Sequence, residues 1–118
     1  MATITIGPEP GRVFERIATL TSSTGLTAAT YDVSITSGTT GEFDRIRHPS
    51  KALVQCEGFT IKWTVDGTTP TVTAGTNIGF LAAVGDFIEI EGYENIAKFR
   101  CINAVASSGS SIQVAYFY

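Results

Sequence analysis

A seven-residue segment near the middle of the chain alternates strictly between apolar and polar side chains. In Phe59–Val65 the odd-numbered residues are Phe, Ile, Trp and Val, whereas the residues between them are Thr, Lys and Thr. Because successive side chains of a β-strand point to opposite faces, this period of two predicts a strand with one buried and one solvated face. Asp66-Gly67 follows at once and is a strong signal for a tight turn. The segment therefore indicates a sheet that covers a hydrophobic core.

Short runs of similar character recur through the chain, and clusters of Gly, Ser, Thr and Asp separate them. The further predicted strands are Ala2–Ile6, Tyr31–Thr36, Lys51–Glu57, Asp86–Glu91, Ala97–Val105 and Ile112–Tyr118. Strands that follow one another about every ten residues, with turn signals between them, are typical of sandwiches and barrels. The sequence therefore predicts an all-β fold, a single antiparallel β-sandwich or barrel-like domain.

The pattern is less definite at the connections between these strands. Gly58 separates two predicted strands, which then form either a hairpin or a sharply bent continuation. Arg12–Leu20 fits a helical stripe and, with one exception, a strand face. Ser37–Ser50 is expected to be a loop. Ala97–Val105 and Ile112–Tyr118 flank a Ser/Gly loop and are expected to form a terminal antiparallel hairpin.

Two prolines interrupt the pattern near the first residue of the sequence. Neither a strand nor a helix continues through Gly7-Pro8-Glu9-Pro10. Residues 1–11 are therefore expected to form an extended N-terminal arm, and residues 12–118 the β-sandwich domain. An extended segment can bind by adding a strand to the edge of a partner's sheet. The candidate partner-binding residues in the arm are Thr3, Ile4, Thr5 and Ile6.

Aromatic residues are concentrated at the other end of the sequence, in Tyr116-Phe117-Tyr118. Three consecutive aromatic residues on a strand cannot all face the same core. A chain end of this kind is usually tied down by its own sheet or by a neighbour. Phe117 and Tyr118 are therefore two further candidate partner-binding residues.

Composition excludes several classes of partner. The net charge is −3, from 8 basic and 11 acidic residues, and the basic residues are scattered. Nucleic-acid binding requires clustered cations, so no nucleic acid is expected. No apolar run reaches 18 residues and no export signal is evident, so we expect no membrane association and assembly in a reducing cytoplasm. Only 16% of the residues are charged, which fits a surface that partners partly cover.

The two cysteines, Cys56 and Cys101, are too few for a disulfide scaffold or a four-ligand metal site. Both lie in predicted strands. The favoured interpretation is two reduced thiols in the core, and the alternative is a single disulfide between neighbouring strands. In either case the cysteines are expected to be structural.

The sequence offers no set of residues that converges on a reaction. The single histidine, His48, stands before Pro49 without a nearby nucleophile motif, and is predicted to be a solvated loop residue. The carboxylates lack the spacing of a calcium loop, and the glycines lack a phosphate-binding pattern. We therefore expect no enzyme activity, no metal site and no cofactor. An alternative is that aromatic side chains form a surface that stacks on carbohydrate rings, although Trp63 is expected to fill the core. The residues concerned are Trp63, Tyr93, Tyr116 and Tyr118.

Several short motifs in the second half of the chain carry a family resemblance. They are Lys51-Ala52-Leu53-Val54-Gln55, Asp66-Gly67-Thr68-Thr69-Pro70-Thr71, Gly85-Asp86, Asn95-Ile96-Ala97-Lys98-Phe99-Arg100 and Val114-Ala115-Tyr116. With these motifs, the segment from about Lys51 to Tyr118 resembles small proteins encoded among the virion structural genes of tailed bacteriophages. Gly25-Leu26-Thr27-Ala28 is also similar and favours a strand over a helix at Phe14–Leu20.

The resemblance implies a β-sandwich component of the virion that assembles in the host cytoplasm. The leading expectation is a capsid decoration or head-associated protein that binds and stabilises the head lattice. Its expected partners are the major capsid protein or other virion structural proteins, and the chain is expected to form a homo-oligomer. One alternative is a neck or tail connector or another tail structural protein. An alternative of another class is a carbohydrate-binding module on the virion surface.

Overall fold

The structure is a computed structural model of the chain. The residues that it describes are 13–18, 20, 22–35, 45–72, 75, 77–105 and 109–118. The predicted N-terminal arm, residues 1–11, lies outside these ranges, together with its strand and its four candidate binding residues. The arm and the boundary at residue 12 therefore stay predictions.

Ten strands and two short helices make up the described part of the chain. In chain order they are β1 (Val13–Ile17), β2 (Thr24–Gly25), α1 (Ala28–Tyr31), β3 (Val33–Ile35), β4 (Arg45–Arg47), β5 (Lys51–Glu57), β6 (Ile61–Thr64), β7 (Phe80–Ala82), β8 (Phe87–Glu91), α2 (Tyr93–Lys98), β9 (Arg100–Asn103) and β10 (Ser111–Phe117). The first sheet has the order β1-β10-β5-β8 and the second the order β2-β9-β6-β7, while β3 and β4 form a separate pair. Every pairing is antiparallel. The predicted all-β fold is confirmed as two packed sheets that do not close into a barrel.

The core lies between the inner faces of the two sheets. Along β5 every second residue is buried, and these residues pair across to the inward residues of β10, as in Val54 opposite Val114. Ile61 of β6, Ile96 of α2 and Phe99, which stands between α2 and β9, belong to the same buried cluster. Each such side chain contributes about 1.5–3 kcal/mol on burial. The strict alternation of burial along Lys51–Glu57 therefore follows from one strand face lying on this core.

The chain passes from one sheet to the other at Gly58. Because β5 belongs to the first sheet and β6 to the second, the link is a bent continuation and not a hairpin. Gly58 has a φ of 80°, and a Cβ built there would lie 2.6 Å from the carbonyl oxygen of Gly109. Both the left-handed backbone and the close approach require glycine.

The expected terminal hairpin is wrong, because β9 and β10 lie in different sheets. Ala97–Val105 is also too long as a strand. Its first two residues complete helix α2, and only Arg100–Asn103 pairs as β9. Tyr93–Lys98 contains good helix formers, and the helix buries Ile96. A helix of about one and a half turns therefore replaces the expected extended chain there.

The expected solvated face of the Phe59–Val65 strand is wrong as well. Lys62 and Thr64 are each only 8% exposed, whereas Phe59 stands outside β6 and is 54% exposed. β6 is an inner strand, flanked within the sheet by β9 and β7, and its two polar side chains fold back onto the residues that follow it. The Lys62 ammonium donates to the Gly79 carbonyl at 3.4 Å and the Thr64 hydroxyl donates to the Thr68 carbonyl at 2.5 Å, which satisfies both polar ends.

Three local expectations in the first half are refined. The ambiguous Arg12–Leu20 segment contains strand β1. The strand expected at Tyr31–Thr36 is reduced to β3, because Tyr31 ends helix α1. Part of the expected loop Ser37–Ser50 forms β4, which pairs with β3.

Candidate interaction surfaces

The outer edge of the second sheet presents apolar side chains to solvent. β7 pairs with β6 on one side, and within the described ranges no strand pairs with its other side. Phe80 is 68% exposed and Leu81 is 64% exposed. Consecutive residues of a strand point to opposite faces, so apolar groups flank this edge on both faces. Unpaired edges of this kind are templates for pairing with another strand.

Two neighbouring side chains enlarge this apolar area. Ile78 and Val84 are exposed large hydrophobic residues on either side of β7. We call Ile78, Phe80, Leu81 and Val84 the β7 edge surface. A pocket of about 360 Å³ opens beside it, lined mainly by apolar groups. Its lining residues are Thr64, Val65, Asp66, Thr68, Ile78, Gly79 and Phe80.

The β7 edge surface is charge-free, in contrast to the corresponding edge of the first sheet. No charged residue occurs from Asn77 to Gly85. β8, one of the two edge strands of the first sheet, exposes Glu89 and Glu91 instead. Charged side chains at exposed edge positions prevent strands from pairing with other chains. One sheet edge is therefore protected in this way, and the other is not.

Aromatic packing fixes the position of β7. The Phe80 ring lies 5.4 Å from the Trp63 ring, and Trp63 in turn stacks on Phe99 at 6.3 Å, measured between ring centroids. Phe99 is fully buried. The exposed edge is thus anchored to the core through a row of three rings.

A second apolar surface lies on the outer face of the first sheet. Phe14, Ala115 and Leu53 are opposite one another on three adjacent strands, and Phe87 lies on the next strand. We call these four residues the outer-face patch. They line a shallow hollow of about 140 Å³, in which Phe14 is 68% exposed. An exposed ion pair flanks the patch, between Arg16 and Glu57 at 3.7 Å, and contributes little to stability.

A polar network holds together three segments that are distant in sequence. Asp32 follows α1, and its carboxylate lies 2.7 Å from Nδ1 of His48 and accepts a hydrogen bond of 2.9 Å from the Tyr93 hydroxyl. The His48 and Tyr93 rings are 4.2 Å apart. The hydrogen bond to Asp32 raises the pKa of Tyr93. His48 is exposed, as expected of a loop residue, but it is paired, and no local motif announces a partner 16 residues away.

The predicted partner-binding residues at the end of the sequence are held by the chain itself. Phe117 is buried, and the Lys51 ammonium lies 5.0 Å from its ring centroid. Tyr118 is half-buried and donates a hydrogen bond of 2.5 Å to the Tyr31 carbonyl. Arg47 lies 5.7 Å above the Tyr118 ring. The other four candidates, Thr3 to Ile6, lie outside the described residues, so the binding role of all six stays a prediction.

A fully buried tyrosine anchors the same end of the chain. Tyr116 donates a hydrogen bond to the carboxylate of Glu15, which also accepts from the backbone N–H of Thr27 at 3.2 Å. Burial first, and then the hydrogen bond to Glu15, raise the pKa of Tyr116. The carbohydrate alternative needs exposed rings, but Tyr116 is buried and Trp63, Tyr93 and Tyr118 are half-buried.

Both cysteines are buried free thiols, as the favoured interpretation of the sequence predicts. The Cys56 thiol donates to the Phe59 carbonyl at 3.1 Å. Burial raises the pKa of Cys101 to about 12. Thiols in this environment are protonated and unreactive.

The described residues offer neither a metal-binding cluster nor a membrane-spanning helix. They contain no group of three or more His, Cys, Asp or Glu side chains placed to hold a metal ion. In the same ranges, no helix has both the length and the apolar character that crossing a bilayer requires.

Sequence reasoning missed the β7 edge surface, although the sequence contains a signal for it. Between Gly79 and Gly85 the chain reads Phe-Leu-Ala-Ala-Val without a polar residue. Such a run is either a strand buried on both faces or an exposed apolar segment.

No protein-family model and no curated protein sequence matches this chain.

Proposed function

We propose that this chain is a structural protein of a tailed bacteriophage virion, specifically a capsid decoration or head-associated protein that binds and stabilises the head lattice. The observation that carries the proposal is the presence of two separate apolar surfaces on one small domain. Contiguous exposed apolar groups on a folded domain mark sites of protein–protein contact. A protein of a shell must contact more than one neighbour, and two such surfaces supply that.

The proposed mechanism is burial of the outer-face patch against the major capsid protein or another virion structural protein. The patch is a row of apolar side chains on the outer face of the first sheet. Arg16 lies on one side of the row of Phe14, Ala115 and Leu53, Lys51 lies on the other side, and Glu89 stands at its end. This arrangement fits a partner surface that is apolar at its centre and polar at its rim. Weak contacts of this kind give strong attachment when they are repeated over a lattice.

The arm residues Thr3 to Ile6 supply a second contact in this proposal. Their alternation of Thr and Ile suits a strand that adds to the sheet edge of a partner. Main-chain hydrogen bonds then provide affinity, and the isoleucine side chains provide specificity.

Shell binding provides the direct test. The purified protein is mixed with mature phage shells that lack it, the shells are pelleted, and the bound copies per particle are counted. A fixed ratio to the capsid protein, amounting to hundreds of copies, is the expected result. A small fixed number of copies would favour the alternative role in the neck or tail, and an absence of binding would contradict the proposal.

Two variants locate the contact on the molecule. Phe14→Asp places a charge in the outer-face patch and is expected to lower the number of bound copies at a given concentration. Val105→Asp is the matched control, because Val105 is 66% exposed and lies outside both apolar surfaces. Equal binding by the two variants would remove the outer-face patch from the proposed mechanism.

A further inference from the structure

We propose that two copies of this chain pair through their β7 strands, antiparallel and across a two-fold axis, so that their second sheets join into one continuous sheet. The inference goes beyond shell binding, because it concerns the free protein and requires no capsid component. It assigns the β7 edge surface to a second copy of the same chain.

Charge distinguishes the β7 edge from the β8 edge as the place where a second copy can pair. The chain carries a net charge of −3, so two copies repel unless the contacting surfaces are neutral. Pairing through β8 would bring Glu89 and Glu91 of one copy close to the same residues of the other. Pairing through β7 brings together two copies of the uncharged segment Asn77–Gly85. Of these two arrangements, only the second avoids placing like charges opposite each other.

The strand is complementary to itself in size as well as in charge. In an antiparallel pair with its axis at Leu81, each Leu81 lies opposite the same residue of the second copy. Phe80 then lies opposite Ala82, so the largest side chain of β7 faces its smallest. Phe80 and Leu81 point to opposite faces, and the pairing therefore covers apolar groups on both faces of the joined sheet.

The proposed symmetry limits the assembly to two copies. A two-fold contact uses the same surface on both partners, so it is saturated when the dimer forms. The backbone N–H and C=O groups on the open side of β7 gain partners in the pair, which is the mode of binding that exposed sheet edges favour.

Sedimentation equilibrium on the purified full chain, without shells, tests the association. The wild type is expected to be a dimer at high concentration, and Leu81→Arg a monomer over the same range. Val105→Arg is the control and is expected to dimerise as the wild type does, since Val105 is as exposed as Leu81. A wild type that stays monomeric at every concentration, or a Leu81→Arg variant that still dimerises, would overturn the proposal.

Disulfide trapping tests the two-fold axis itself. Opposite residues of an antiparallel pair have Cα atoms about 4.5–5.5 Å apart, which is within the range that a disulfide spans. Leu81→Cys is therefore expected to cross-link to itself under mild oxidation, whereas Val105→Cys is not. The native cysteines are both buried and do not compete.

Sedimentation equilibrium and disulfide trapping together also distinguish a second β7 strand from other segments that could occupy this edge. If residues 1–9 of another copy occupied the β7 edge, their deletion would abolish dimerisation and Leu81→Cys would not cross-link to itself. That result would overturn the two-fold pairing. Dimerisation that is lost in Phe14→Asp but kept in Leu81→Arg would place the contact on the outer-face patch and would also overturn it. None of these results depends on whether the protein binds shells.

Discussion

Replacing Gly58 by alanine tests the corner that joins the two sheets. Alanine carries a Cβ into a site with a φ of 80°, where that atom would lie 2.6 Å from the Gly109 carbonyl oxygen. An L-residue in the left-handed region costs about 1–2 kcal/mol, and the smaller entropy of the unfolded alanine chain returns about 0.4–1 kcal/mol. Forcing the 109–110 backbone away adds about 1–3 kcal/mol. We expect Gly58→Ala to lower the free energy of unfolding by about 2–4 kcal/mol.

Gly85→Ala is the matched control for this prediction. Gly85 has a φ of 88°, and nothing lies within 4 Å of the Cβ that alanine would add. It therefore carries the backbone cost alone, and we expect a loss of about 0.5–1 kcal/mol. The difference between the two variants isolates the close approach of the corner to the 109–110 segment.

Urea denaturation followed by tryptophan fluorescence measures both losses. The midpoint is expected to fall in each variant, with an unchanged dependence of the unfolding free energy on urea concentration. If Gly58→Ala lost no more stability than Gly85→Ala, the steric part of the reasoning would be refuted.

Four other outcomes follow from the core and the arm. Val54→Ala, which empties a fully buried site, is expected to cost about 2–3 kcal/mol in the same denaturation assay. Tyr116→Phe removes the hydrogen bond to Glu15 and is expected to cost about 1.5–3 kcal/mol. Because the folded state raises the pKa of Tyr116, it keeps a proton that the unfolded chain releases above about pH 10. Wild-type stability should therefore fall as the pH rises above 10, and less steeply in Tyr116→Phe. Deleting residues 1–9 should abolish shell pelleting and leave the thermal unfolding of the domain unchanged, and retained pelleting would contradict the arm's role.

Local patterns predicted three of the four strands of the first sheet well and left β1 ambiguous between helix and strand. The bounds of β5 match the predicted Lys51–Glu57, and β8 and β10 differ from their predictions by one residue at one or both ends. Each of these strands has one face on the core, so alternation in the sequence records alternation in burial. β6 shows where this reasoning fails. Its pattern is equally regular, but Lys62 and Thr64 are buried despite their polarity, because each donates to a backbone carbonyl of the residues that follow β6.

Assignment of strands to sheets could not be predicted from local sequence. The sequence between β9 and β10 is typical of a hairpin loop, although the two strands belong to different sheets. The same limitation applies to His48, whose partners Asp32 and Tyr93 come from two other segments of the chain. The β7 edge surface combines both cases. Its apolar run is visible in the sequence, but its exposure depends on β7 being the last strand of its sheet.

The two proposed contacts do not compete for the same surface. Pairing through β7 extends the second sheet sideways, whereas the outer-face patch lies on the first sheet and faces away from the second. A dimer would therefore present two outer-face patches to a lattice, and its attachment would gain from the effective concentration of the second patch after the first has bound. On this reasoning Leu81→Arg weakens shell binding only by removing that gain, while Phe14→Asp weakens each contact and leaves the dimer intact. A Leu81→Arg variant that bound shells no more weakly than the wild type, while being monomeric, would show that the two contacts act independently.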